Sequence, residues 1–205
     1  MHLTQTDGTV EINGKNIADY SIEERSKEIA YVAQKTSNID DFTVFDYLSF
    51  GLVNTTRFYQ KPSQNKLEKI KEYVKLLKID NLLNKNLAEV SGGERQLISI
   101  CSALLQNTKI ILLDEPTSAL DLSNQALILG CLKDICKRDG KTIILSTHNP
   151  NHALFLDSNV FVMKNGKFIY TGVAKDTIRI EKLKEIYGDN LCLSSTLQYD
   201  EISFK

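Results

Sequence analysis

Hydrophobic and polar positions along this chain follow two periods. The apolar residues Leu67, Ile70, Val74 and Leu77 fall at steps of three and four, with lysines and glutamates between them. That spacing predicts an amphipathic helix, because 3.6 residues per turn gather those positions into one stripe. RQLISICSALLQ, from Arg95, predicts a second helix, and Asn124 to Asp139 a third, ended by Gly140. Short continuous apolar runs predict buried strands: IAYVAQ from Ile29, IILLD from Ile110, TIILST from Thr142 and NVFVM from Asn159. KNGK, from Lys164, holds the Asn-Gly pair of a tight hairpin and turns the last of these strands back. Near the start, DGTVEINGK reads as one short alternating strand bounded by Gly8 and Gly14. SIEERSKE follows as a helical turn, where Ser21 and Glu24 fit a capping box. A final helix is expected from about Asp176 to Tyr187, before a polar tail.

Strands separated by helices imply a mostly parallel sheet covered by helices, an α/β fold. The stretch from Lys35 to Asn65 differs. It is polar, with one apolar island, FTVFDYLSFGL from Phe42, and a loop-like segment, RFYQKPSQN from Arg57. Together with the helices after it, this stretch predicts a largely helical insert over about 37–105 within a single domain spanning 1–205.

Composition narrows the function classes. The chain has 205 residues, 42% of them hydrophobic, and 25 Lys plus Arg against 26 Asp plus Glu, for a net charge of −1. That length suits one domain with a sizeable core. The charge balance encodes no overall pull toward nucleic acid or anionic membrane, and no basic patch with interleaved aromatics stands out. Apolar runs stop far short of the ~18 residues that span a bilayer, and the opening residues show no secretory pattern. The four cysteines, Cys101, Cys131, Cys136 and Cys192, form no CxxC motif. They read as reduced, packed thiols of a soluble cytosolic protein.

Candidate chemistry sits at the ends of the predicted strands. VSGGERQ, from Val90, opens a helix with Ser91 and Glu94 in capping-box spacing and two glycines between them, Gly92 and Gly93. Such a helix start exposes free N–H groups and suits a phosphate, although alone it is more often an ordinary cap. IILLDEPTSALD delivers two adjacent carboxylates, Asp114 and Glu115, at a strand's C-terminal edge, where open α/β sheets bind ligands. One can attend Mg²⁺ and the other can orient or deprotonate a water. A bare acidic pair is usually a solvated strand end. Here Pro116 stops the strand, and Ser118, Asp121 and Asn124 supply helix-start chemistry just beyond it. His148 follows TIILST and Gln34 ends IAYVAQ, so both should share that edge. Each alone is more often an incidental loop residue. Asn54, Thr55 and Thr56 match a glycosylation acceptor that a cytosolic chain would leave unmodified.

Taken in order, the set resembles the ATP-binding-cassette family over nearly the whole chain, from about Gly8 to Tyr187. Gln34 matches the Q-loop, VSGGE the signature, IILLDE the Walker B strand with its glutamate, SALD (Ser118 to Asp121) the D-loop, and His148 the switch histidine. THNPNHA around His148 and EKLKEIYG near the end look most like importers of iron–siderophore, haem or cobalamin. Val90 and Glu94 replace the usual leucine and glutamine, which leaves the cap intact.

The resemblance implies a P-loop NTPase-like (RecA-like) fold and ATP with Mg²⁺ as cofactors. Asp114 and Gln34 would attend the metal, Glu115 would polarise the attacking water, and His148 would contact the γ-phosphate. Ser91, Gly92, Gly93, Glu94 and Asp121 would face nucleotide at the junction with a second, head-to-tail cassette subunit. The insert would meet transmembrane permease subunits, placing the protein on the cytoplasmic face of the membrane, with no nucleic-acid partner.

One element has no match among these residues: the GxxxxGK(S/T) loop that cradles phosphates after the first core strand. The Gly14-Lys15-Asn16 triplet lacks the preceding glycine loop. MHLTQTDG, at the start, resembles the end of the helix that follows such a loop, with Met1 where an internal methionine would fall. The fold is therefore expected to lack the phosphate-loop strand and its helix, leaving a slot between TIILST and NVFVM. Buried unpaired groups in such a slot cost roughly 1–3 kcal/mol each, against a total stability of about 5–15 kcal/mol. The expectation is an ATPase subunit unable to bind ATP well alone, or a non-catalytic half that lends its signature to a complete partner. A cassette ATPase of DNA repair or translation would need a second cassette or a long coiled-coil insert, for which 205 residues leave no room.

Overall fold

The computed structural model describes residues 8–34, 41–52, 64–195 and 200–204. MHLTQTD at the start, the Asn54-Thr55-Thr56 triplet and most of RFYQKPSQN lie outside these residues, while Gln64 and Asn65 already belong to a helix.

The chain opens with an antiparallel pair, β1 (Glu11–Ile12) and β2 (Lys15–Asn16). DGTVEINGK is thus a hairpin rather than one strand, because Asn13 and Gly14 both take positive φ, the two-residue turn whose twist matches paired strands. Helix α1 (Ile22–Glu28) starts at Ser21 with the expected capping box and leads into β3 (Ile29–Val32). The apolar island from Phe42 becomes α2 (Val44–Gly51), and the amphipathic stripe becomes α3 (Gln64–Leu76), with Ile70, Val74 and Leu77 buried. After them come α4 (Gly92–Leu105), β4 (Ile110–Leu113), α5 (Leu122–Asp139), β5 (Thr142–Leu145) and α6 (Pro150–Leu156). The hairpin of β6 (Asn159–Lys164) and β7 (Lys167–Val173) turns at Asn165 and Gly166 as its sequence demands.

One expectation near the end needs correction. The single final helix is two, α7 (Ala174–Thr177) and α8 (Ile180–Tyr187), because Ile178 and Arg179 leave helical backbone between them. The polar tail after them carries an antiparallel pair, β8 (Leu191–Ser195) with β9 (Asp200–Phe204).

β3, β4 and β5 form a parallel sheet in that order, with Val32, Leu113 and Leu145 side by side at its C-terminal edge. The main core lies between this sheet and α2–α5. It is built on fully buried Leu48, Ile98, Leu104, Ile111, Ile128 and Leu132. α2 and α4 approach closely at Gly51, where a Cβ would stand 2.8 Å from the Ser102 carbonyl oxygen. A second, smaller cluster joins Ala153, Ala174, Ile178, Leu183 and Leu191 beneath β6 and β7.

Among the described residues β5 pairs with β4 alone, and β6 with β7 alone. The slot expected between TIILST and NVFVM therefore appears as two strand edges that share no ladder. The apolar side chains beside them are exposed: Ile144 on β5, and Phe161 and Met163 on β6.

Candidate functional site

Each parallel strand delivers a polar residue to the same rim. The register that aligns Val32, Leu113 and Leu145 carries the next residues out together, so Asp114 and Ser146 emerge as neighbours. Backbone bonds continue the ladder one step further: the Asp114 N–H donates to the Val32 carbonyl (2.9 Å), and the Ser146 N–H to the Leu113 carbonyl (3.0 Å).

Glu115 is the centre of the rim. Gln34 Nε2 donates to its Oε2 at 2.9 Å, and His148 Nδ1 lies 3.3 Å from its Oε1. Gln34 and His148 thus meet on the Glu115 carboxylate, with Asp114 beside them on the shared strand edge that the sequence predicts. Glu115 is partly buried and His148 exposed, so the acid is sheltered while the imidazole faces outward.

The Glu115 backbone is strained, with φ at 44°, a conformation that costs a non-glycine residue roughly 1–2 kcal/mol. Three bonds hold it there. Its N–H donates to Ser146 Oγ (2.8 Å), and its carbonyl accepts from the Ser118 N–H (3.1 Å) and Ser118 Oγ (3.0 Å). Ser146 Oγ also donates to Asp114 Oδ1 at 2.7 Å, so one hydroxyl orients both acids. Sequence reasoning assigned Ser146 no part. Its signal was the register itself, which sets the residue after TIIL opposite the one after IILL.

The rim presents oxygen donors. Mg²⁺ prefers one or two carboxylates together with phosphate and water, rather than a cage made only of protein. Asp114, Glu115 and the Gln34 amide fit that preference. The described residues hold no cluster of three or more His, Cys, Asp or Glu side chains that would make such a cage.

The signature lies at the start of α4. Ser91 caps the helix through Oγ, which accepts from the Glu94 N–H (3.3 Å), and Glu94 Oε2 accepts from the Ser91 N–H (2.7 Å). These bonds hold the Glu94 carboxyl below its ordinary pKa, the Ser91 backbone bond acting most strongly. Glu94 therefore secures the helix start and faces back into it. The two glycines differ. A Cβ on Gly93 would stand 3.3 Å from the Ala119 carbonyl oxygen, so this glycine seats the signature against the D-loop. A Cβ on Gly92 would meet nothing within 4 Å, and the exposed face there stays open to another molecule. Asp121 caps α5, its Oδ1 accepting from the Asn124 N–H (2.8 Å) and its Oδ2 from Asn124 Nδ2 (3.0 Å). Gln34, Asp114, Glu115 and His148 thus share one rim. Ser91, Gly92, Gly93 and Asp121 form a second group, linked to Glu115 by the short D-loop.

A parallel sheet with this polar rim, followed by a D-loop packed under a glycine-opened helix cap, defines an ATP-binding cassette. The chain belongs to the ABC transporter family, whose model matches residues 1–118. An ABC transporter ATP-binding protein of Haemophilus influenzae is 34% identical over 180 residues, 88% of this chain and 68% of that protein. The ferric enterobactin transport ATP-binding protein FepC of Escherichia coli is 28% identical over 186 residues, 91% of this chain and 69% of that one. Solved structures agree. A metal-chelate type ABC transporter in an inward-facing conformation superposes with a TM-score of 0.74 at 27% identity, covering 87% of this chain and 72% of that chain. The dimeric cassette MJ0796, bound to ADP and Pi in a post-hydrolysis state, gives 0.73 at 27% identity, covering 82% and 74%. The fold is that of a P-loop NTPase cassette, and by family the protein is an ABC-type ATPase.

Proposed function

We propose that this chain supplies the Walker B, Q-loop, switch-histidine and signature portion of a cassette ATPase that energises import of an iron complex or related metal chelate. The observation that carries the reading is the convergence of Gln34, His148 and the backbone-fixed Glu115 on one rim. Similarity to FepC and to a metal-chelate type transporter supports the class of cargo.

In this reading Glu115 polarises the attacking water. Its carboxylate oxygens already meet Gln34 and His148, so it needs little reorganisation when substrate arrives. Asp114, oriented by Ser146, and Gln34 attend Mg²⁺, which neutralises phosphate charge when bound. His148, exposed beside Glu115, meets the terminal phosphate. Ser91, Gly92 and Gly93 close on nucleotide held by a second subunit, head to tail, and the open face at Gly92 leaves room for it. Glu94 and Asp121 hold the helix starts that border that junction. The helical part, about 37–105, docks on the permease subunits at the cytoplasmic face of the membrane. No described helix is long and apolar enough to cross it.

The reading requires a phosphate-cradling loop from polypeptide beyond these 205 residues, and the edges of β5 and β6 are where its strand would add. Binding of a fluorescent ATP analogue, measured with and without Mg²⁺, tests this. The 205 residues alone should bind weakly, and a polypeptide carrying strand, GxxxxGK(S/T) loop and helix should restore affinity. Micromolar affinity with magnesium-dependent turnover by these residues alone would overturn the requirement. If turnover appears with a complete partner subunit and Glu115→Gln leaves it untouched, the chain is a signature donor without a competent site of its own.

A further inference from the structure

His152, on α6, is buried, with 7% relative exposure, and its hydrogen bonds go to none of Gln34, Asp114, Glu115 and His148. Its imidazole sits among three polar side chains. Nδ1 lies 2.9 Å from Thr147 Oγ1, and Nε2 lies 3.2 Å from both Gln125 Oε1 and Asn149 Nδ2. Thr147 and Asn149 flank His148 directly. Gln125 belongs to α5, and its Nε2 donates to the carbonyl of Leu120 in the D-loop (2.9 Å). That bond fixes the Gln125 amide with its oxygen toward His152.

We propose that His152 is a positioning residue that ties the loop carrying His148 to the D-loop, by way of Thr147 on one side and Gln125 on the other. The chemistry of the groups selects one form of the ring. Gln125 Oε1 can only accept, so the ring nitrogen facing it must donate, which leaves Nδ1 to accept the proton of Thr147 Oγ1, itself an acceptor of the Asn149 N–H (3.1 Å). Nε2 then carries the hydrogen and donates to Gln125 Oε1. Asn149 Nδ2 cannot donate to that same nitrogen, and its orientation is set instead by Oδ1, which accepts the Asn151 N–H (3.0 Å). The result is a continuous path: the D-loop carbonyl of Leu120, Gln125, His152, Thr147, and the turn that presents His148. Burial, with a smaller contribution from the neighbouring His148, lowers the pKa of this imidazole and so favours the neutral ring that its acceptor role at Nδ1 needs. A shift of the D-loop in one subunit therefore moves the seat of the switch histidine in that subunit.

The inference rests on His148 being the group that meets phosphate, and its test is chosen to be independent of that. The chain contains three histidines, so ring signals can be assigned by NMR on the full chain without nucleotide. The ¹⁵N shifts of His152 should report a neutral ring protonated at Nε2; a ring protonated at Nδ1 overturns the path through Gln125. Gln125→Leu should shift the His148 ring signals, although Gln125 bonds to Leu120 and His152 and not to His148, and should speed hydrogen exchange of the Asn149 N–H about tenfold or more. Unchanged His148 signals and unchanged Asn149 exchange, with only a lowered Tm, would make His152 a packing residue and sink the proposal. Should Gln125→Leu fail to fold, the tautomer in the unmodified chain still decides. If instead ATP binding fails under every condition, the reading of His148 falls while these ligand-free results stand.

Discussion

β4 and β5 lie side by side and have nearly the same apolar character, yet β5 is the less buried on both faces: Ile143 and Leu145 are only partly buried against the core, and Ile144 stands opposite the partly buried Leu112. On β4, Ile111 and Leu113 are buried between sheet and helices. On β5, Ile144 is 58% exposed, and on β6 Phe161 is 68% exposed, resting on Phe168 with ring centroids 5.6 Å apart. The difference lies in the neighbours. β4 has a strand on both sides; β5 and β6 each have one among the described residues. Apolar pattern makes a strand, but only a completed sheet buries it. The polar rim escapes this deficit because its members are bonded to strand ends and to one another: Asp114 to Val32, Ser146 to Leu113, and Gln34 and His148 to Glu115.

That contrast can be broken at the rim first. Glu115→Gln, in an assembly supplied with a phosphate loop, should lower turnover about 10²–10⁴-fold, the usual contribution of a positioned base. Single-turnover hydrolysis measures it, and an intact rate would remove Glu115 from the chemistry. Next comes the comparison between cores. Leu48→Ala or Ile98→Ala, both fully buried, should cost about 2–5 kcal/mol in urea unfolding. Phe161→Ser, on the open face, should change stability by no more than about 0.5 kcal/mol. Equal losses at Ile98 and Phe161 would mean that the hairpin face is covered in solution.

A smaller effect is expected at the D-loop. Asp121→Ala removes the side-chain cap of α5 and should cost about 1 kcal/mol, with Asp121→Asn retaining most of it. The smallest concerns pH. Burial, then the charge of His148, holds the His152 pKa below its ordinary 6.5. On acidification the unfolded chain takes up this proton first, so stability should begin to fall below about pH 6.5 and level off once the folded chain protonates too. His152→Gln should flatten that part of the profile, measured by urea titrations between neutral and mildly acidic pH.

Local features were legible because neighbouring residues make them. Ser91 with Glu94, Ser21 with Glu24, Asn165 with Gly166, and the stripe of Leu67, Ile70, Val74 and Leu77 each encode a cap, a turn or a helix within one or two turns of chain. Where local signals were weaker, reading them failed: the break at Ile178 and Arg179 interrupts a helical pattern without proline or glycine, and the pairing of β8 with β9 needs two segments to meet. At the site, the order of motifs revealed Gln34, Asp114, Glu115 and His148, but not what fixes them. Ser146 reaches Glu115 across 31 positions of sequence, and His152 reaches Gln125 across 27.

The amino-acid sequence alone determined the strands of the parallel sheet and of the β6–β7 hairpin, most of the helices and the family, since these follow from periodicity, caps and the ordered motifs. Only the tertiary structure decided which side chains hold the acids in place and which apolar faces stay bare. Hydrogen bonds and burial between segments depend on register and on the presence of a neighbouring strand, and no short window of sequence contains either.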